Sequence, residues 1–79
     1  MTLWHDIRDI LKGNEVFYSA DEIINKLEKQ GRQHRSEIIR QKLKRLSRSG
    51  GDVIRIILIT KRGRIFGYMW REDFERIYK

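Results

Sequence analysis

The sequence predicts a small α+β fold: three helices, then a β-hairpin, with a short further helical segment at the end. Three observations carry this. Apolar residues recur at helical spacing as far as residue 47. After Gly50-Gly51 the period changes to β-branched runs. Leu, Ile, Val and Phe make up 23 of the 79 residues, enough for a thin core in a chain that is 37% charged. One domain over residues 1–79 is expected, since the length leaves no room for a second.

The first helix is predicted over 3–12. Thr2 can cap it, and Leu3, Ile7, Ile10 and Leu11 fall on one face. Gly13-Asn14 ends it, because both residues tolerate left-handed backbone. Val16-Phe17-Tyr18 is too short for a helix and too apolar for a loop, which predicts a brief strand. A second helix is predicted over 20–30, where Ser19-Ala20-Asp21-Glu22 has the form of a capping box. Ile23, Ile24 and Leu27 are its buried stripe, and Gly31 stops it. A polar turn, Gly31-Arg32-Gln33-His34-Arg35, leads to a third helix over 36–47 with Ser36 as its cap. Ile39, Leu43 and Leu46 share the inner face of that helix. Arg40, Gln41, Lys44 and Arg48 lie opposite with Glu37 beside them, and Lys42 and Arg45 take the flanks. Ser49-Gly50-Gly51-Asp52 then breaks the chain. A hairpin follows over 53–70, with Val53 to Thr60 outgoing, Lys61-Arg62-Gly63-Arg64 turning and Ile65 to Trp70 returning. Phe74, Ile77 and Tyr78 give the last segment, 72–79, an apolar side.

The net charge of +7 is unevenly spread. Residues 1–30 hold four bases and six acids, and 72–79 hold two bases and three acids. Residues 31–71 hold twelve bases against only Glu37 and Asp52. A basic surface on one part of the fold is expected, and such surfaces attract polyanions.

Two helices joined by a short glycine-containing turn, the second of them basic, make a helix-turn-helix arrangement. Ala20-Asp21-Glu22-Ile23 through Leu27, then Ser36 and Ile39 to Leu46 before Gly50, resembles the winged helix-turn-helix DNA-binding domain. The hairpin would be its wing, so the resemblance covers roughly residues 3–70. It implies sequence-specific binding of double-stranded DNA by a small transcriptional regulator of prokaryotic or viral type. The third helix would enter the major groove, a role falling on Ser36, Glu37, Arg40, Gln41 and Lys44. Arg35, Arg45 and Arg48 would hold phosphates, and Lys61, Arg62 and Arg64 would form the wing contact. Arg suits guanine and Gln suits adenine in the major groove.

Strand alternation puts Ile57, Ile59, Phe66, Tyr68 and Trp70 on one hairpin face and Ile54, Ile56, Leu58 and Met69 on the other. One apolar face must pack on the helices. The other needs cover from Phe74, Ile77 and Tyr78 or from a second subunit, which predicts a homodimer.

Other classes find less support. The chain has no cysteine, no G-x-S-x-G elbow and no phosphate-binding glycine loop, so no enzyme is expected, nor any cofactor or small-molecule ligand. His5 and Asp9 stand at i, i+4, but a surface pair is the expected reading and no metal is assigned. The longest apolar run, Ile56 to Ile59, is far too short to span a membrane, and the absence of cysteine fits a reducing, cytoplasmic location. Twelve isoleucines with few Asn and Gln are a composition found in thermophiles. Two alternatives remain. Arg62 to Tyr68 faintly echoes an RNA-binding strand, and a winged helix can also serve as a protein-docking module.

Overall fold

The computed structural model describes residues 2–78. It is an α+β fold in which α1 (Leu3–Leu11), β1 (Tyr18–Ser19), α2 (Ala20–Lys29) and α3 (Ser36–Leu46) precede β2 (Val53–Thr60), β3 (Gly63–Trp70) and α4 (Arg71–Tyr78). The strands form one antiparallel sheet in the order β1-β3-β2. Among the described residues no helix is long and apolar enough to cross a membrane.

The helix starts follow from their side chains. Thr2 Oγ1 accepts the His5 amide at 3.3 Å and caps α1. Ser19 Oγ accepts the Glu22 amide and Glu22 Oε1 accepts the Ser19 amide, both at 3.2 Å, which completes the capping box of α2. The final residue predicted for each of these helices, Lys12, Gln30 and Ser47, is the C-cap instead. Ser36 is not a cap. It is the first helical residue of α3, and Arg35 occupies the cap position without a side-chain bond to the helix.

The first strand also differs from expectation. Pairing begins at Tyr18, opposite Tyr68, and ends at Ser19, opposite Gly67. Val16 and Phe17 lie outside the ladder, and Phe17 instead packs its ring against Phe74 and Tyr78. The hairpin turn is tighter than predicted: Thr60 pairs with Gly63, leaving Lys61-Arg62 as the loop. Neither loop residue has positive φ; Gly63, at φ 118°, takes that geometry for them. The Thr60 hydroxyl donates to the Gly63 carbonyl at 2.8 Å and closes the turn. The last segment forms α4 from Arg71, and Lys79 lies outside the described residues.

The core joins α1, α2 and α3 to one end of the hairpin. Ile7, Ile10 and Leu11 meet Ile23, Ile24, Leu27, Ile39 and Leu43, and the sheet adds Val53, Tyr68 and Trp70 from a single face. On the opposite face Met69 is fully buried. There α4 packs on β2 and β3, and Phe17, lying against Gly67, makes ring contacts with Phe74 and Tyr78. The expected division of the hairpin into two apolar faces is what the register gives, and α4 supplies the second cover near the base. Towards the turn neither face is covered: Ile57, Ile59, Ile65 and Phe66 are all exposed.

Three polar ties fix α4 and the base of the hairpin. Asp73, buried, accepts the Gly13 amide at 2.7 Å and pairs with Arg76 at 3.0 Å. The Arg71 amide donates to the Asp52 carbonyl at 2.7 Å. Trp4 Nε1 of α1 donates to the Asp52 carboxylate at 2.9 Å. Leu43 sits at the centre of the core with no exposed surface. In a core this small Leu43→Ala is expected to cost about 2–5 kcal/mol, read as a lower urea midpoint at unchanged slope.

Candidate nucleic-acid interface

The surface that the sequence singled out is built from α3 and the far part of the hairpin. On α3, burial of Ile39 and Leu43 turns Glu37, Gln41 and Lys44 to solvent as one row, while Arg48, also exposed, lies past the helix end at Leu46 and not on the helix as predicted. Beside that row Ile38, Gln41, Lys42 and Arg45 line a shallow hollow against Leu3 of α1. Arg40 faces the other way. It takes part in a cleft of about 260 Å³ with Ser19, Ala20 and Asp21 at the start of α2 and with Ile65, Phe66 and Tyr68 of β3. The cleft joins α3 to the hairpin, so the two predicted contact elements are neighbours.

The register says which hairpin residues share that side. Phe66 and Tyr68 lie on the face that packs against the helices, and so do Arg64, opposite Ile59, and Arg55, opposite Tyr68. The Arg55 guanidinium stands 4.4 Å from the centre of the Phe66 ring, a cation–π contact. Lys61 and Arg62 form the exposed tip beyond. Among the described residues the salt bridges engage Lys12, Arg32, His34, Arg40 and Arg76. Arg35, Lys44, Arg45, Arg48, Lys61, Arg62 and Arg64 are exposed and take part in none of them. From 35 to 48 six cations face a single acid, Glu37, and the hairpin from 53 to 70 holds four cations and no acid. Such a surface carries an uncompensated positive field.

Some of the basic residues of this region are engaged within the fold. Arg40 is not free: its guanidinium is ion-paired with the carboxylate of Asp21 in the first turn of α2. The basic turn before α3 is directed inward. Arg32 pairs with Asp6 at 3.1 Å and with Asp9 at 3.0 Å, and His34 Nε2 donates to Asp6 Oδ2 at 2.6 Å. Asp6 is only 3% exposed, so the Arg32 guanidinium and the His34 ring N–H compensate a carboxylate that burial would otherwise leave isolated. Of the three basic residues in the turn, only Arg35 faces solvent fully. Asp9 therefore serves Arg32, while His5 Nδ1 lies 2.6 Å from Thr2 Oγ1, and the two do not form a joint site.

Two exposed residues belong to this surface although the sequence reading passed over them. Arg55 is the lone cation inside the apolar run of β2; strand alternation puts it on the face of Ile57, and the register brings it beside Phe66. Ile38 is a half-exposed isoleucine next to Gln41 and Arg45 on α3. No group of three or more potential metal ligands occurs among the described residues.

No family model matches the chain, and neither a curated protein nor a solved structure matches it.

The Asp6 cluster fixes the approach to α3. Asp6→Ala is expected to destabilise the fold by about 1.5–3 kcal/mol, the usual worth of hydrogen bonds to a buried charge, in equilibrium urea unfolding. Asp9→Ala removes only the exposed partner of Arg32, so its midpoint should move by under about 1 kcal/mol.

Proposed function

We propose that the chain is a winged helix-turn-helix module that binds double-stranded DNA, acting as a small transcriptional regulator. The observation that carries this reading is the uncompensated positive surface shared by the outer row of α3 and the hairpin tip. An 11-residue helix is about 16 Å long and, with side chains, about 10–12 Å across, which suits a major groove about 12 Å wide. In that pose Gln41 is placed for adenine, Lys44 for guanine and Glu37 for the amino group of cytosine. Ile38 adds the apolar contact that a thymine methyl takes. Arg35 and Ser36 at the start of α3, with Arg45 and Arg48 further along, hold the flanking phosphates. Lys61, Arg62 and Arg64 form the wing contact, and Arg55 supports them from the hairpin face.

Arg40 has a conditional part. Paired to Asp21 in the free protein, it must exchange a carboxylate for a base edge or phosphate when DNA arrives. The pair is exposed on both sides, so this exchange is cheap. Asp21 then sets a modest threshold on binding.

Fluorescence anisotropy with a mixed-sequence duplex tests the reading. Micromolar binding is expected, with log K falling linearly in log salt. Arg62→Ala should make that slope shallower by about 0.9, the share of one phosphate contact. No binding at low salt would overturn the proposal. In the same assay Asp21→Asn is expected to tighten binding, because it frees Arg40 and removes a negative charge beside α3. Unchanged binding by Asp21→Asn at unchanged thermal stability would place the Asp21–Arg40 pair outside the interface.

A further inference from the structure

Ile59 is the most exposed large apolar side chain among the described residues, at 86%. It lies directly across the ladder from Arg64 and one residue before the rung that closes the Lys61-Arg62 turn. Core burial does not account for an isoleucine there. The core takes only Val53, Tyr68 and Trp70 from this face, while Ile57 and Phe66 stay open to water. Four rungs, from Ile57–Phe66 to Thr60–Gly63, stand beyond the buried base and reach out by about 10 Å.

An exposed apolar tip marks a contact surface, and the charges around it choose the partner. Lys61, Arg62 and Arg64 flank Ile59, and the hairpin has no acid. Two copies of this tip would bring six cations together, which disfavours self-association at this point. The partner must be anionic and must also offer an apolar slot within about 10 Å of its surface. Duplex DNA has both. Its phosphates border a minor groove about 7.5 Å deep, and pyrimidine–purine steps at the floor unstack readily.

We propose that Ile59 is a wedge that bends DNA. The hairpin enters the minor groove, the tip cations hold the phosphates on either side, and the Ile59 side chain inserts between two base pairs and unstacks them. Ile57 and Phe66, behind it on the same face, form the apolar shoulder that the opened step rests on. Arg55 already covers one side of the Phe66 ring, which leaves Ile59 as the leading group. The wedge rests on the DNA-binding reading and adds an activity, bending, that cationic contacts alone do not supply.

The test uses the full chain and a short duplex carrying 2-aminopurine at a central TpA step and a donor–acceptor pair at its ends. The wild-type protein is expected to raise both the 2-aminopurine fluorescence and the end-to-end energy transfer. Ile59→Ala should lose both rises, hold mixed-sequence DNA within a few-fold of wild type, and melt at the wild-type temperature. Ile59→Leu should restore both signals. Binding by the wild type without either rise, or bending by Ile59→Ala equal to wild type, overturns the wedge and leaves DNA binding standing. No binding in the anisotropy salt series overturns both. Should sedimentation equilibrium find a dimer that Ile59→Ala dissociates, the tip is a self-contact and the wedge is wrong. Recruitment of wild type, but not Ile59→Ala, to phosphatidylserine vesicles, with the duplex unbent, would equally overturn it.

Discussion

A carboxylate removed from water has to find cations, and that requirement at Asp6 shapes the middle of this protein. Asp6 sits on α1 just before Ile7, a fully buried residue, so packing of the helix draws the carboxylate inward with it. Arg32 and His34 come from the turn after α2 to meet it. The turn is thereby drawn onto α1, and α3 begins immediately beyond, at Ser36, without a side-chain cap of its own. The position of α3 follows from an ion cluster and a core contact, Ile39 and Leu43 against the other helices. The same cluster divides the basic residues. Arg32 and His34 are used within the fold, whereas Arg35 and the outer row of α3 face solvent.

The hairpin is governed by a different constraint. Its residues are apolar on both faces, and a sheet of that kind needs two covers. At the base it has them, the three-helix layer on one side and α4 with Phe17 on the other. Neither cover extends as far as the tip. On the helix face Ile57 is already open, whereas Leu58, one rung further out on the face that Phe17 and α4 cover, is still half-buried. Core formation demands apolar residues in the first rungs of the ladder. It makes no such demand at Ile59, and the composition there is a separate fact about the surface.

Sequence periodicity made the helices legible because each of them is amphipathic and locally punctuated. Thr2, Ser19 with Glu22, and the glycines after α1 and α2 act within three or four residues of their targets, so their effect is written in the local pattern. The two hairpin faces were legible for the same reason, since alternation survives a shortening of the turn by two residues. What stayed hidden were contacts between distant positions. Asp9–Arg32, Asp6–His34 and Asp21–Arg40 link residues 23, 28 and 19 apart, and nothing in a period of 3.6 marks them. The cations that face solvent on α3 and at the tip were legible, since amphipathic spacing and a turn position expose them locally. The partners of Arg40, Arg32 and His34 were not legible, because the acids that meet them come from other helices.

The sheet edges give the tip charges a second physical consequence. β2 is an edge strand along its whole length, and β1 covers β3 only at Tyr68 and Gly67, so from Gly63 to Phe66 both sides of the hairpin are unpaired. Long apolar edges of this kind invite pairing with another chain, and native sheets block it with charge. Here Arg55, Lys61, Arg62 and Arg64 lie along those edges without a compensating acid in the hairpin. Edge-to-edge approach of two copies sets like charges against each other, whereas a phosphate backbone is attracted by the same groups. One set of cations therefore lets the tip keep exposed isoleucines without pairing to itself and favours a polyanion as the surface against which they are buried. An apolar side chain at position 59 is tolerable in solution only because that positive field surrounds it, and this ties the wedge to the charge rather than to the fold.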